Sequence, residues 1–207
     1  MNGKLITFEG PDGSGKTTQI KLAAGYIKSR GYDVLTTVEP GGTAIGKKIR
    51  SVLLDKKNLD ITPKAETFLF LASRAQLSEE VIRPALKANK IVICDRFFDS
   101  TMVYQGIARG LGIEKMLDYS LWATGGIEPD ITFLLHIGPG KGLSRKRSSG
   151  SVIDRLESQE DDFMQKVSQG YLDIAKKFKQ RIVFIDACKT IKEVSGIVRD
   201  KIDGIIG

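Results

Sequence analysis

Lys4-Leu5-Ile6-Thr7-Phe8-Glu9 runs directly into Gly10-Pro11-Asp12-Gly13-Ser14-Gly15-Lys16-Thr17. The first six residues read as a strand. The next eight match the pattern G-x-x-x-x-G-K-[ST] in full, and a helical stretch follows from about Lys16 to Arg30, stopped by Gly31. Glycines in such a turn let backbone N–H groups converge into an anion-binding nest, and the helix aims its N-terminus at the same point. Lys16 is placed to reach β- and γ-phosphates, and the Thr17 hydroxyl is placed to ligate Mg²⁺. Gly10, Pro11, Asp12, Gly13, Ser14, Gly15, Lys16 and Thr17 are therefore the expected ATP-binding residues, with Lys16 and Asp12 as catalytic candidates. A strand, a glycine-rich turn and a helix in this order predict an α/β fold of the P-loop type.

Working outward, short β-like runs alternate with longer helical patterns. Asp33–Val38, Ile91–Asp95, Ile131–Ile137 and Arg181–Asp186 read as four further strands. Ile91–Asp95 and Ile131–Ile137 are almost continuously apolar, as expected of strands covered on both faces. Helical patterns occupy about Ala44–Leu54, Pro63–Asn89, Asp99–Gln105, Ile113–Thr124, Asp161–Lys179 and Ile191–Ile206, with Thr62-Pro63 as a start signal for the second of these. The expectation is a five-stranded parallel sheet with helices on both faces, in one domain spanning residues 1–207. Ligands of such sheets bind beyond the carboxyl ends of the strands. Asp95, closing the third strand, is a candidate Mg²⁺ carboxylate, and Arg96 beside it a candidate phosphate contact.

Composition removes several function classes. The chain has 207 residues, enough to bury a core without disulfides or metals, and its two cysteines, Cys94 and Cys188, fit no metal or redox spacing. His136 is the only histidine, which excludes two-histidine zinc sites, and it sits within an apolar run that suits a structural role. Apolar runs such as Ile131–Ile137 are far shorter than the ~20 residues of a membrane span. With no signal-like segment at the start either, a cytoplasmic protein without membrane association is expected. The net charge of +7 and pI near 9.3 suit acidic partners, including small phosphorylated ligands. Basic tails and aromatic-basic interleaving are missing, so nucleic acid is not an expected partner. No Asn-Lys-x-Asp guanine motif occurs, which turns the reading away from a GTPase and toward a nucleotide kinase.

The chain also resembles the bacterial thymidylate kinases along nearly its whole length. The resemblance is carried by FEGPDGSGKTT (Phe8–Thr18), EPGGT (Glu39–Thr43), the Phe70-Leu71-Ala72-Ser73-Arg74 segment, CDRFFDSTMVYQG (Cys94–Gly106), EPD (Glu128–Asp130) and DRLE (Asp154–Glu157). It implies ATP-dependent phosphorylation of dTMP to dTDP with Mg²⁺, and a homodimer. It implies that Asp95 and Arg96 meet metal and phosphate, and that Glu39 and Arg50 lie near the monophosphate. Phe70 would stack on thymine, with Arg74 bonding its carbonyl. Ser100, Thr101, Tyr104 and Gln105 would line base and sugar, Tyr104 filling the space of a 2′-hydroxyl.

Without the resemblance, Phe70, surrounded by Phe68, Leu69 and Leu71, reads as core packing, and Arg74 as a solvated helix residue. Val38 and Phe97 depart from residues the family often carries. Gly13 stands where some members place a P-loop arginine. The charge that develops in transfer would then be met by Arg145 and Arg147, in the Gly/Ser-rich basic loop Gly140–Gly150. That loop reads as the start of a mobile lid over about residues 140–158, in which Glu157 could assist metal or sugar binding. The rival readings are a kinase for another monophosphate and a basic P-loop protein that binds nucleic acid.

Overall fold

The computed structural model describes residues 3–138, 140–148, 154–156 and 158–206, apart from the side chains of Leu143, Lys146, Arg147 and Ser148. Arg147, Glu157 and residues 149–153 of the expected lid thus lie, in side chain or entirely, outside the described residues.

Five strands form one parallel sheet: β1 (Lys4–Glu9), β2 (Val34–Val38), β3 (Ile91–Asp95), β4 (Ile131–His136) and β5 (Ile182–Asp186), in the order β2-β3-β1-β4-β5. The side-chain period of two divides the apolar runs between two cores. Ile6, Phe8, Ile91, Ile93, Ile131, Phe133 and Leu135 face α1 (Lys16–Ser29) and a C-terminal helix over Ile191–Ile206. Leu5, Val92, Cys94 and Leu134 face the opposite layer. That layer holds α2 (Ala44–Leu54), α3 (Pro63–Leu77), α4 (Arg83–Lys87), α5 (Phe98–Thr101), α6 (Ile113–Thr124) and a helix over Asp161–Lys177. In chain order α7 (Lys141–Ser148), α8 (Asp161–Lys177) and α9 (Ile191–Ile206) complete the set. Double coverage explains why β3 and β4 read as nearly continuous apolar runs rather than as alternating ones.

Local signals account for the helix ends. Thr62 Oγ1 accepts from Ala65 N at 3.4 Å and Pro63 opens α3, while Thr43 Oγ1 accepts from Gly46 N at 2.9 Å ahead of α2. Gly31 takes φ 87° just beyond α1.

Two expectations need correction. The single long helix over Pro63–Asn89 contains a π-helical stretch at Ser78–Ile82, and α5 likewise widens into a π-helix over Met102–Ala108. Such widenings leave no mark in an apolar periodicity. The basic Gly/Ser-rich segment is not a loop at its start: Lys141–Ser148 is helical. Lysine and arginine favour helices, and Gly142, the one glycine inside α7, has a packing reason given below.

Candidate active site

The loop between β1 and α1 is shaped by its glycines. A Cβ on Gly10 would sit 2.1 Å from Leu135 O, and one on Gly13, at φ 75°, would sit 2.1 Å from Gly142 O. Both positions are thus closed to any side chain, and Gly13 meets the first turn of α7 backbone to backbone. The N-terminus of α1 has no side-chain cap and no acidic residue in its first turn, so its first N–H groups are left for an anion. Ser14 Oγ is buried without a partner among the described residues, a further donor held inside this loop. Lys16 Nζ donates to Gly10 O at 2.9 Å and Pro11 O at 3.0 Å, and stands 3.6 Å from Asp12 Oδ1. Burial, then the neighbouring Arg96 charge, lowers its pKa.

Among the described residues, two of the clefts at the carboxyl ends of the strands gather the expected site residues. A phosphate-side cleft is lined by Asp12, Gly13, Lys16, Thr17, Asp95 and Arg145, among others. The second, of about 580 Å³, is lined by Phe70, Arg74, Ser100, Thr101, Tyr104 and Gln105, and also by Leu54, Phe97, Asp154 and Leu156. Asp12, Glu39, Arg50 and Arg96 line both clefts and so form their junction. Every expected site residue with a described side chain at strands β2 and β3 therefore comes to one place. His136 does not: its Nε2 lies 3.1 Å from Ser168 Oγ, and its ring tilts against Phe184.

Arg74 is fully buried rather than solvated. Its Nε donates to Glu39 Oε2 at 3.1 Å, its Nη2 to Glu39 Oε1 and, at 2.8 Å, to Thr101 Oγ1, and its Nη1 to Ser120 Oγ at 2.9 Å. Of five guanidinium N–H groups these bonds use four, which leaves one on Nη1 for a ligand. Burial raises the Glu39 pKa against the opposing pull of Arg74. Phe70 serves both of its readings, since it packs with Leu53 and Leu156 and also lines the cleft. Arg50 Nη1 donates to Pro40 O at 2.8 Å, which fixes the EPGGT turn to α2.

Four groups escaped sequence reasoning. Glu9, at the end of β1, is fully buried and accepts from Phe97 N at 2.7 Å, Ser100 N at 3.2 Å and Ser100 Oγ at 2.6 Å. Tyr171 of α8 joins the same cluster. Glu66 of α3, also fully buried, accepts from Gln105 Nε2 and Arg155 Nη2 at 2.8 and 2.7 Å, and more weakly from Arg109. Arg155 further donates to Leu53 O at 2.8 Å. The second residue of the DRLE stretch is therefore an anchor that pins residues 154–156 over the acceptor-side cleft. A lone glutamate at a strand end is the only hint the sequence offers for Glu9.

Glu9 has a measurable signature. Burial, reinforced by the charge of Asp99, raises its pKa to about 7 from 4.5, against the pull of Arg96 and its hydrogen bonds. A carboxyl raised in the folded state stabilises the fold fully below its unfolded pKa, and this contribution disappears as pH rises through about 7. Glu9→Gln is neutral throughout, so the decline in Tm between about pH 4.5 and 7 should flatten in that variant. Thermal melts across this range check it; parallel curves for parent and variant would refute the assignment.

Arg74 yields a second expectation. Arg74→Ala should raise the KM of the acceptor-cleft ligand at least roughly tenfold and leave that of the P-loop ligand nearly unchanged, because a pocket that loses a hydrogen-bonding partner loses discrimination. It should also lower Tm, since it strands the Glu39 carboxylate, a loss of about 3–5 kcal/mol for a broken buried pair. Arg74→Lys retains a charge for Glu39 without the planar fork and should recover Tm more than KM. Equal KM changes for both ligands would contradict the pocket assignment.

Comparison with known proteins follows the same lines. Residues 8–197 match the family model described as thymidylate kinase. The chain is 48% identical over 198 residues to the thymidylate kinase of Caldanaerobacter subterraneus subsp. tengcongensis, covering 96% of this chain and 94% of the relative. It is 44% identical to that of Geobacillus sp. strain WCH70, covering 99% of this chain and all of the relative. The crystal structure of thymidylate kinase from Ehrlichia chaffeensis superposes with a TM-score of 0.78 at 33% identity, over 98% of this chain and 99% of that one.

Proposed function

The chain belongs to the thymidylate kinase family, and from that premise we propose that it transfers the γ-phosphoryl group of ATP to the phosphate of dTMP, yielding ADP and dTDP. The observation that carries this reading is the shared wall of the two clefts: Asp12, Glu39, Arg50 and Arg96 border both. A donor on the P-loop and an acceptor in the second cleft would present their phosphates to each other across these residues.

On this reading an acceptor phosphate oxygen attacks the γ-phosphorus in line and ADP leaves. The attacking oxygen is already anionic, so no general base is required; alignment and charge neutralisation do the work. Lys16 and the α1 N-terminus would hold the donor phosphates, and Arg96 and Arg50 the acceptor phosphate. Phe70 would lie against the thymine ring, and the spare Arg74 N–H would reach its carbonyl. Tyr104, nearly buried with its ring against Phe163 and Tyr171, would exclude a 2′-hydroxyl.

Thr17 and Asp95 line the phosphate-side cleft together. A hydroxyl and a carboxylate are hard oxygen donors that suit Mg²⁺, an ion commonly held by one or two carboxylates plus substrate phosphates. When bound, Mg²⁺ would offset charge on the transferring phosphates. Glu39 is committed to Arg74 and is not a metal ligand on this reading.

Residues 1–207 act as one kinase unit in this proposal, with a lid from about residue 140 to 158. No described helix is long and apolar enough to cross a membrane, which suits the cytoplasmic location expected for a nucleotide-supplying enzyme. The layer α2–α3–α6 leaves Ile45, Val52, Phe68 and Trp122 exposed, Trp122 at 84%. Such an apolar surface favours a homodimer formed through this layer. The test of function is a panel of nucleoside monophosphates with Mg-ATP, monitored by ADP release. dTMP should be phosphorylated fastest, and a preference for a ribonucleotide would overturn the acceptor assignment.

A further inference from the structure

The guanidinium of Arg96 borders both clefts, and its surroundings are built to hold it in one orientation. Its own backbone is left-handed at φ 66°, uncommon for a residue with a side chain. Glu9 clamps that turn from beneath through Phe97 N and Ser100 N. Nη1 donates to Tyr171 Oη at 2.9 Å and to Ser100 Oγ at 3.2 Å, and Nη2 donates to Asp12 Oδ1 at 2.9 Å. Asp12 is a partly exposed anion on the P-loop, next to the place where phosphate charge would accumulate. Tyr171 is neutral, fully buried, and supplied by α8 from 75 residues away.

The protons in this cluster are determined by its chemistry. A guanidinium only donates, so both hydroxyls must turn a lone pair toward Arg96. Glu9 Oε2 lies 2.6 Å from Ser100 Oγ and 3.3 Å from Tyr171 Oη, and the two hydroxyls are 3.0 Å apart. An ionised Glu9 only accepts, so it draws the hydroxyl protons away from Arg96. Once Glu9 is ionised, above a pH of about 7, the carboxylate orients the hydroxyls and the hydroxyls orient the guanidinium.

We propose that Tyr171 is a positioning residue for phosphoryl transfer, its hydroxyl holding Arg96 Nη1 so that the guanidinium stays at the junction of the two clefts. This rests on the kinase reading above. Tyr171→Phe keeps the ring packed edge-on to Tyr104 and removes only the hydroxyl. It should lower kcat roughly tenfold or more while leaving the KM for ATP and Tm close to the parent, the pattern of an interaction felt mainly in the transition state. A residue needed only for packing would move Tm and spare kcat.

A double-mutant cycle with Arg96→Ala, assayed at high enzyme concentration, isolates the coupling. If the hydroxyl acts through Arg96, adding Tyr171→Phe to Arg96→Ala lowers kcat no further. Parental kcat in Tyr171→Phe, or the same fold-loss with and without Arg96, overturns the proposal in an enzyme that phosphorylates dTMP. A parent protein that phosphorylates no monophosphate overturns the kinase reading, and this proposal with it.

Discussion

Lys16→Ala is expected to lower kcat by roughly 10²–10³-fold, the range seen when one preorganised donor to a developing anion is removed. Lys16 is only 6% exposed, yet it lines the phosphate-side cleft, and its ammonium is tethered to two carbonyls of its own loop, Gly10 O and Pro11 O. Three donors on a flexible stem can exchange those carbonyls for phosphate oxygens without rebuilding the loop. Burial lowers its pKa, and a γ-phosphate nearby would pull it back up, so the charge is strongest when donor is bound. The carbonyls left behind in the variant face a cleft that water can enter, which predicts a Tm within a few degrees of the parent. Steady-state kinetics at saturating ATP and dTMP, with thermal melts, decide the matter. A folded Lys16→Ala variant with kcat within tenfold of the parent would remove the P-loop lysine from the mechanism.

The elements most legible in the sequence are those whose meaning is local. Gly10–Thr17 carries its whole geometry in eight residues, and the Asp95-Arg96 pair and Glu39 sit directly after strands, where such sheets bind ligands. β3 and β4 are legible because double coverage demands continuous apolar runs; the strand ends at Val34, His136 and Ile182 differ from the expected ends by one residue. The order β2-β3-β1-β4-β5 is a matter of which strands pair, and no single stretch of sequence carries it. The same holds for the supporting groups of the site. Glu9 acquires its role from Phe97, Ser100 and Tyr171, and Glu66 from Gln105, Arg109 and Arg155, partners between 39 and 162 residues distant. Arg74 illustrates the limit well. On a helical wheel it is one more charged residue, but three other elements close over it and convert it into the fixed wall of a pocket. Gly142 lies in the Gly/Ser-rich segment expected to be a mobile lid, yet a Cβ there would lie 2.2 Å from Asp12 O. It is glycine because two backbones touch.

That contact frames the expectation for Arg145. Gly142 and Arg145 are three residues apart in α7 and so share a face of the helix. With Gly142 pressed on the P-loop backbone, Arg145 falls beside the phosphate-side cleft with Lys16, Thr17 and Asp95, and its Nη1 donates to Ala187 O at 3.2 Å. The side chain is exposed and, among the described residues, is held by one carbonyl, so it can turn to a phosphate at little cost. Gly13 leaves the P-loop without an arginine of its own, and a side chain at that position would collide with Gly142; the helix that excludes a P-loop arginine therefore brings one with it. Arg145→Ala should lower kcat by roughly 10²-fold, with a smaller change in the KM for ATP, as expected of a cation that acts chiefly on the transition state. Arg147, whose side chain lies outside the described residues, is the companion to test, and the double variant Arg145→Ala/Arg147→Ala should lose at least as much. Near-parental kcat in that double variant would mean that the transferring charge is met by Lys16, Arg96 and Mg²⁺ alone, and that α7 only covers the donor.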